Sequence, residues 1–325
     1  MRIIDSHSAR MLSVLLLALC VGCPHTAPVS DTEKTSPPHT TPEEDFDKPM
    51  PHVEPLVPRF DEETTDESAG EATTGMVAEI RGKYTAEVVP MPPIDDLTAQ
   101  VDEYMTKLGA NLESLDGTTR YTSDATDIVR DASALSLVVL AIGLAEADSK
   151  YKKAAPHMIE AAQSLTAAKS HAEGQKAYEK LKSARTSTGD GTPLSWSVKV
   201  ADLTPLMKAV PNLNSAVKRL TNTERNLNLR LERSPQQIYG ALAALAAISH
   251  GSIANVSETS KPEAAAEWKK YCEEFRDAAL KVNNVTRQYA EKETDYTTFK
   301  TAMSAMSASC DHCHAVFYPS AVGQD

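Results

Sequence analysis

The stretch Ala132–Ala147, ASALSLVVLAIGLAEA, decides the fold class. It is almost wholly apolar, yet its sixteen residues fall short of the roughly 20 needed to cross about 30 Å of hydrocarbon. An apolar run of this length predicts a helix buried on all sides within a helical body. On both flanks apolar residues recur with the 3.6-residue period of amphipathic helices. The spacing predicts helices over 94–115, 124–147, 150–169 and 173–186, a Gly/Thr/Pro-rich break at 186–193, and helices over 203–232, 235–255, 261–285 and 289–317. Ser234-Pro235 sets a capping residue ahead of a proline at the first helical position, and Ser260-Lys261-Pro262-Glu263 repeats the signal. The expected architecture is all-α: two antiparallel four-helix bundles in tandem, over 94–190 and 195–325, after a disordered N-terminal tether.

Composition agrees. The 325 residues allow two domains of ordinary size plus extensions. Aromatic residues are 5% and glycines number 13, too few of either for a β-sandwich or barrel. With 45 acidic against 33 basic residues the net charge is −12. No basic cluster stands out to neutralise phosphates, so nucleic acid is excluded as an expected partner.

The N-terminus carries Arg2 and Arg10 before the apolar run Met11–Gly22, the pattern of a secretory signal. Leu19-Cys20-Val21-Gly22-Cys23 resembles a bacterial lipobox. The resemblance implies a signal peptide over 1–22, a lipid anchor on Cys23, and a periplasmic or cell-surface protein held on a membrane. A soluble exported chain with an ordinary cleavage site is the alternative. Twelve of the nineteen prolines lie between Pro24 and Pro93, among acidic clusters such as Glu43-Glu44-Asp45 and Asp61-Glu62-Glu63. Residues 23–93 therefore read as a disordered tether that cannot bury enough apolar surface to fold. Within it Met76–Val89 is more apolar, a candidate for a short strand or for packing on the body.

The halves of the body echo one another. Asp96-Leu97-Thr98 opens one and Asp202-Leu203-Thr204 the other. Tyr151-Lys152-Lys153 and Trp268-Lys269-Lys270 stand at a constant offset of 117, which suggests duplication. Only the second half carries cysteines, namely Cys272, Cys310 and Cys313.

Near the C-terminus stands Ser309-Cys310-Asp311-His312-Cys313-His314. Cys-x-x-Cys-His is the attachment spacing for c-type haem. On a helix, Cys310, Cys313 and His314 fall at i, i+3 and i+4 and share one face. Two thiols a turn apart suit the two vinyl groups along one porphyrin edge, and the adjoining imidazole suits the iron. Phe299, Met303, Met306 and Phe317 continue the face and are expected to wall the ring. Three other readings compete and are weaker. A thioredoxin-type dithiol needs a βαβ context, a structural zinc needs four ligands, and a disulfide across one helical turn is strained.

The motif on the last helix of a four-helix unit resembles the class II cytochromes c, which include cytochrome c-prime and its low-spin relatives. The resemblance covers about residues 200–318 and, more faintly, the first unit, which lacks the motif. Trp268 early in the third helix and Phe317 three residues after His314 match the family pattern. Members usually carry a basic residue after that aromatic, whereas this chain has Tyr318-Pro319. The resemblance implies one haem c held by Cys310 and Cys313, with Trp268 and Phe317 packing on it and His314 on the iron. Met207, about a hundred residues before Cys310, is the first candidate for a sixth ligand and His250 the second. A five-coordinate iron follows if neither binds. Met303 and Met306 read as core, Cys272 as a small buried apolar residue, and His312 and His157 as surface. The expected function is one-electron transfer with a redox partner protein. The alternative is a gas-binding or sensing module for small diatomic molecules. No distal Arg/His pair for O–O cleavage is evident, so no enzymatic role is expected. Family members often dimerise through their first two helices, which makes a homodimer a further expectation.

Overall fold

The computed structural model describes residues 89–115, 121, 125–189 and 191–319. The residues expected to form a signal peptide (1–22), a lipid anchor (Cys23) and a tether with its Met76–Val89 segment, save for the last few, lie outside them. The described residues are helical with no strand among them. They form α1 (Ile94–Ser114), α2 (Thr126–Leu144), α3 (Ala155–Thr166), α4 (His171–Ala184), α5 (Leu203–Leu220), α6 (Glu224–Arg233), α7 (Gln236–Gly251), α8 (Ala265–Ala290) and α9 (Tyr296–Phe317), with a 3₁₀ segment over Ser252–Glu258. The apolar run that decided the fold class is α2, in which every residue from Asp131 to Ile142 is buried.

Helices α1 to α4 pack in succession, and α4 returns to α1. Two tyrosines set that return. Tyr178 donates to the Met105 carbonyl at 2.7 Å and fills the space a side chain would need at Gly109. Tyr121 lies likewise against Gly174. In the second half α5 packs on α7, α7 on α8, and α8 on α9. Both halves feed one apolar core, because α1 and α2 also lie on α7 and α2 on α5. Helix α7 permits this through its small residues: Ile238 to Gly251 are all buried. A Cβ at Gly240 would stand 2.8 Å from Gln100 Oε1, and one at Gly251 2.6 Å from Leu137. With the 3₁₀ segment, Gln236–Glu258 is long and apolar enough to cross a membrane, but most of it is buried inside the fold.

A buried polar seam ties the halves together. Asp96 of α1, 4% exposed, accepts from Asn283 at 3.1 Å and is paired with Arg287. The Arg287 guanidinium also lies over the Tyr239 ring, 4.2 Å from its centroid. Between the halves, the chain after the Gly/Thr/Pro-rich break is strapped to both. Gln163 of α3 donates to the Val200 carbonyl at 3.0 Å, and Asn255 donates to the Ala201 carbonyl at 2.8 Å.

The helix expected over 203–232 is two. Thr221 turns its hydroxyl back to the Val217 carbonyl at 2.8 Å, and Thr223 accepts from the Asn226 amide at 3.1 Å as the cap of α6. Threonine oxygens compete with the helical ladder and favour caps, so the Thr-Asn-Thr sequence closes one helix and opens the next.

Candidate functional site

Four helix ends meet around the last turns of α9. Trp268 and Cys272 of α8 and Phe317 of α9 form a small apolar cluster separate from the main core. Leu203 at the start of α5, Ile253 and Val256 after α7, Tyr271 of α8, and Cys313 and Val316 of α9 pack against it. The end of the last helix thus lies beside the starts of α5 and α8 and the end of α7. The Trp268 and Phe317 rings meet edge-on with centroids 5.1 Å apart. Trp268 Nε1 donates to the Ser252 carbonyl at 2.8 Å, and Ser260 Oγ donates to the Phe317 carbonyl at 2.7 Å. These bonds fix the end of α9, whose opening turn is set by Asp295 accepting from the Thr298 amide at 2.7 Å.

Cys310, Cys313 and His314 are each half-buried on the last two turns of α9. Neither cysteine forms a disulfide, nor does buried Cys272. Burial pushes the Cys313 thiol up to about 11. Burial, with Cys313 close by, raises Cys272 well above the ordinary thiol range. The His314 ring faces Tyr318 edge-on at 6.3 Å. His312 is exposed, and His157 bonds the Gly189 carbonyl at 3.2 Å. Among the described residues no group of three or more His, Cys, Asp or Glu is arranged to hold a bare metal ion. Two cysteines at i and i+3 with an imidazole at i+4 lie on one stretch of α9, the spacing that a covalently attached macrocycle would use. The residues present fit haem c.

Register relates the candidate sixth ligands to this set. Tyr296 at the start of α9 donates to the Thr221 carbonyl at the end of α5 at 2.9 Å, so the two helices run antiparallel. Cys310 lies fourteen residues after Tyr296 and Met207 fourteen before Thr221. Leu203, at the start of α5, packs against the small cluster together with Cys313 and Val316. Met207 is half-buried and packs against the main core, outside the small cluster. Phe299, Met303 and Met306 sit in the main core, so of the expected wall only Phe317 belongs to the cluster.

His250 is engaged elsewhere. Arg276 Nη1 lies 3.0 Å from its Nδ1, and Trp196 packs on it edge-on at 4.8 Å. Burial, then the Arg276 and Lys269 charges, hold the imidazole down at about 4. It is neutral near pH 7, with Nδ1 accepting from the guanidinium. Leu203 and Tyr271 were missed in the sequence, although each lies within a turn of a residue singled out, Met207 and Trp268. No such local signal marks Arg276 or Trp196. The chain matches no known family model, no curated protein and no solved structure.

Proposed function

We propose that this chain is an exported monohaem c-type cytochrome whose body is a tandem pair of antiparallel four-helix bundles, the second of which carries haem. One haem c is held by Cys310 and Cys313, with His314 on the iron, and the function is one-electron transfer to a partner protein. When bound, the haem supplies a one-electron iron couple. The observation that carries the reading is the placement of Cys-x-x-Cys-His on one face of the final turns of α9, beside an apolar cluster distinct from the core. Trp268 and Phe317 exclude water and pack on the ring. Met207 supplies a thioether from the facing helix. His250, bonded to Arg276, buttresses the end of α7 rather than reaching for iron. The lipobox-like N-terminus and the proline-rich segment after it support a lipid anchor at Cys23 and a tether holding the body off a membrane in the periplasm or at the cell surface.

A second reading is favoured by Leu203. An apolar side chain packed against the same cluster as Cys313 would suit a five-coordinate iron open to a small diatomic gas. The visible spectrum of the reduced protein separates the two. Electron transfer predicts a low-spin spectrum unchanged by carbon monoxide and converted to high spin by Met207→Ala. A high-spin spectrum that shifts on adding carbon monoxide overturns the first reading in favour of the second.

A further inference from the structure

Helix α6 and the end of α5 carry a charge pattern that the haem site does not use. Lys218, Arg219, Arg225, Arg230 and Arg233 fall within sixteen residues of a chain whose net charge is −12, and all five are exposed. Glu224 and Glu232 interleave with them, so no basic run stands out in the sequence. The fold separates the two signs. Tyr289 Oη of α8 lies 3.1 Å from Glu224 Oε1 and 2.9 Å from Asn228 Oδ1, and Glu224, Asn228 and Glu232 line one cleft with Tyr289. Arg225, half-buried Leu229 and Arg233 follow at four-residue spacing and share another face. Among the described residues none of the five basic side chains forms an ion pair. Only Leu227 of α6 is fully buried.

This face has a defined place on the body. Asp96, in the first turn of α1, pairs with Arg287, two residues before Tyr289, so the chain enters the body at the end where α6 lies. Trp268 stands twenty-one residues before Tyr289 on α8, about 30 Å along the helix axis. A redox partner must approach the Trp268 end, which leaves the basic face for another surface. We propose that α6, through Arg225, Leu229, Arg230 and Arg233, with Lys218 and Arg219 beside it, docks the body on a bilayer that carries anionic lipid. The proposal rests on the reading of Cys23 as a lipid anchor. A helix with a basic face lies in the plane of a membrane surface, its cations on headgroup phosphates and its apolar residue at the acyl boundary. Local charge decides such contact, because fields are screened over about 8 Å at physiological ionic strength. The tether lets the body stand off, α6 returns it to anionic lipid, and the Trp268–Phe317 end then faces outward.

Vesicle co-sedimentation of the mature haem-loaded chain carrying Cys23→Ser, which removes the anchor, tests this. Binding is expected to vesicles of equal parts phosphatidylglycerol and phosphatidylcholine, to weaken with added salt, and to be absent with pure phosphatidylcholine. Arg225→Gln, Arg230→Gln and Arg233→Gln together should weaken it at least about tenfold at an unchanged urea midpoint. Lys169→Gln, Lys176→Gln and Lys180→Gln remove the same charge from exposed positions at α4 and should leave binding intact. Equal binding to both vesicles, or equal loss in the two triple variants, overturns the proposal. Binding to soluble polyglutamate without binding to the mixed vesicles overturns it in favour of an acidic protein partner. The anchor is read separately: the unsubstituted chain matured in its host should stay on pure phosphatidylcholine vesicles. Its release would contradict the acyl group at Cys23 and leave the α6 result as measured.

Discussion

The fourth helix of the first half and the last helix of the second are built on one plan and put to different ends. Helix α4 is capped by Ser170, which accepts from the Glu173 amide at 3.3 Å, and it packs on both α3 and α1. Helix α9 is capped by Asp295 in the same way, is eight residues longer (22 against 14), and has its close helix packing with α8. Where α4 is pressed home by tyrosine-on-glycine contacts, α9 ends in half-buried thiols and an imidazole. The helix without the motif closes on its neighbours, and the helix with it leaves its chemistry-bearing turns partly open. Tyr151 and Trp268, which correspond across the offset, show the same divergence. Both are buried, but Tyr151 donates to Asp102 of the first half whereas Trp268 anchors the small cluster around Phe317.

The comparison is broken most severely at the surface the halves share. Arg287→Met strips buried Asp96 of its charged partner and leaves Asn283 alone to satisfy it. Removing one partner of a buried pair costs about 3–5 kcal/mol, and the lower end applies because Arg287 is itself 35% exposed. Chemical denaturation should show a single shifted transition, since both halves share one core. Two separated transitions would mean that the halves fold independently. Next is Gly251→Ala, which drives a methyl into Leu137 across the same surface. Overpacking of this kind costs about 1–3 kcal/mol, read as a lower urea midpoint.

The third test sharpens the contrast through pH. The folded protein holds His250 at about 4 against an ordinary 6.5, so the unfolded chain binds a proton that the folded one resists. This contribution is fully present above pH 6.5 and is lost as the pH falls toward about 4. His250→Gln should flatten that part of the stability profile, measured as urea midpoint against pH. An unchanged profile would contradict the buried Arg276–His250 contact. The smallest effects are at the two caps. Ser170→Ala and Asp295→Ala should each cost about 1 kcal/mol. Only the second is expected to change the absorption spectrum of haem-loaded protein, because α9 carries Cys310, Cys313 and His314.

Much of this was legible in the sequence. The helical class follows from the 3.6-residue period and from the run that became α2. Ser234-Pro235 marked the start of α7, which begins at Gln236. The break at Thr221–Thr223 went unread because apolar periodicity continues across it, although a threonine ahead of Glu224 is a cap signal. Asp96 with Arg287, and Arg276 with His250 and Trp196, pair over long sequence separations, and local pattern has no way to report such contacts. At the site, Cys310, Cys313 and His314 were readable as a group because they fall within one short stretch of sequence. Leu203 and Tyr271 were not, because their roles depend on the register between helices.

The most direct test is the intact mass of the denatured protein matured in a host that attaches c-type haem. The account predicts a mass raised by one haem, retained through denaturation and lost in the Cys310→Ala, Cys313→Ala double variant. A denatured wild-type chain at its bare polypeptide mass, with or without an acyl group, would contradict it.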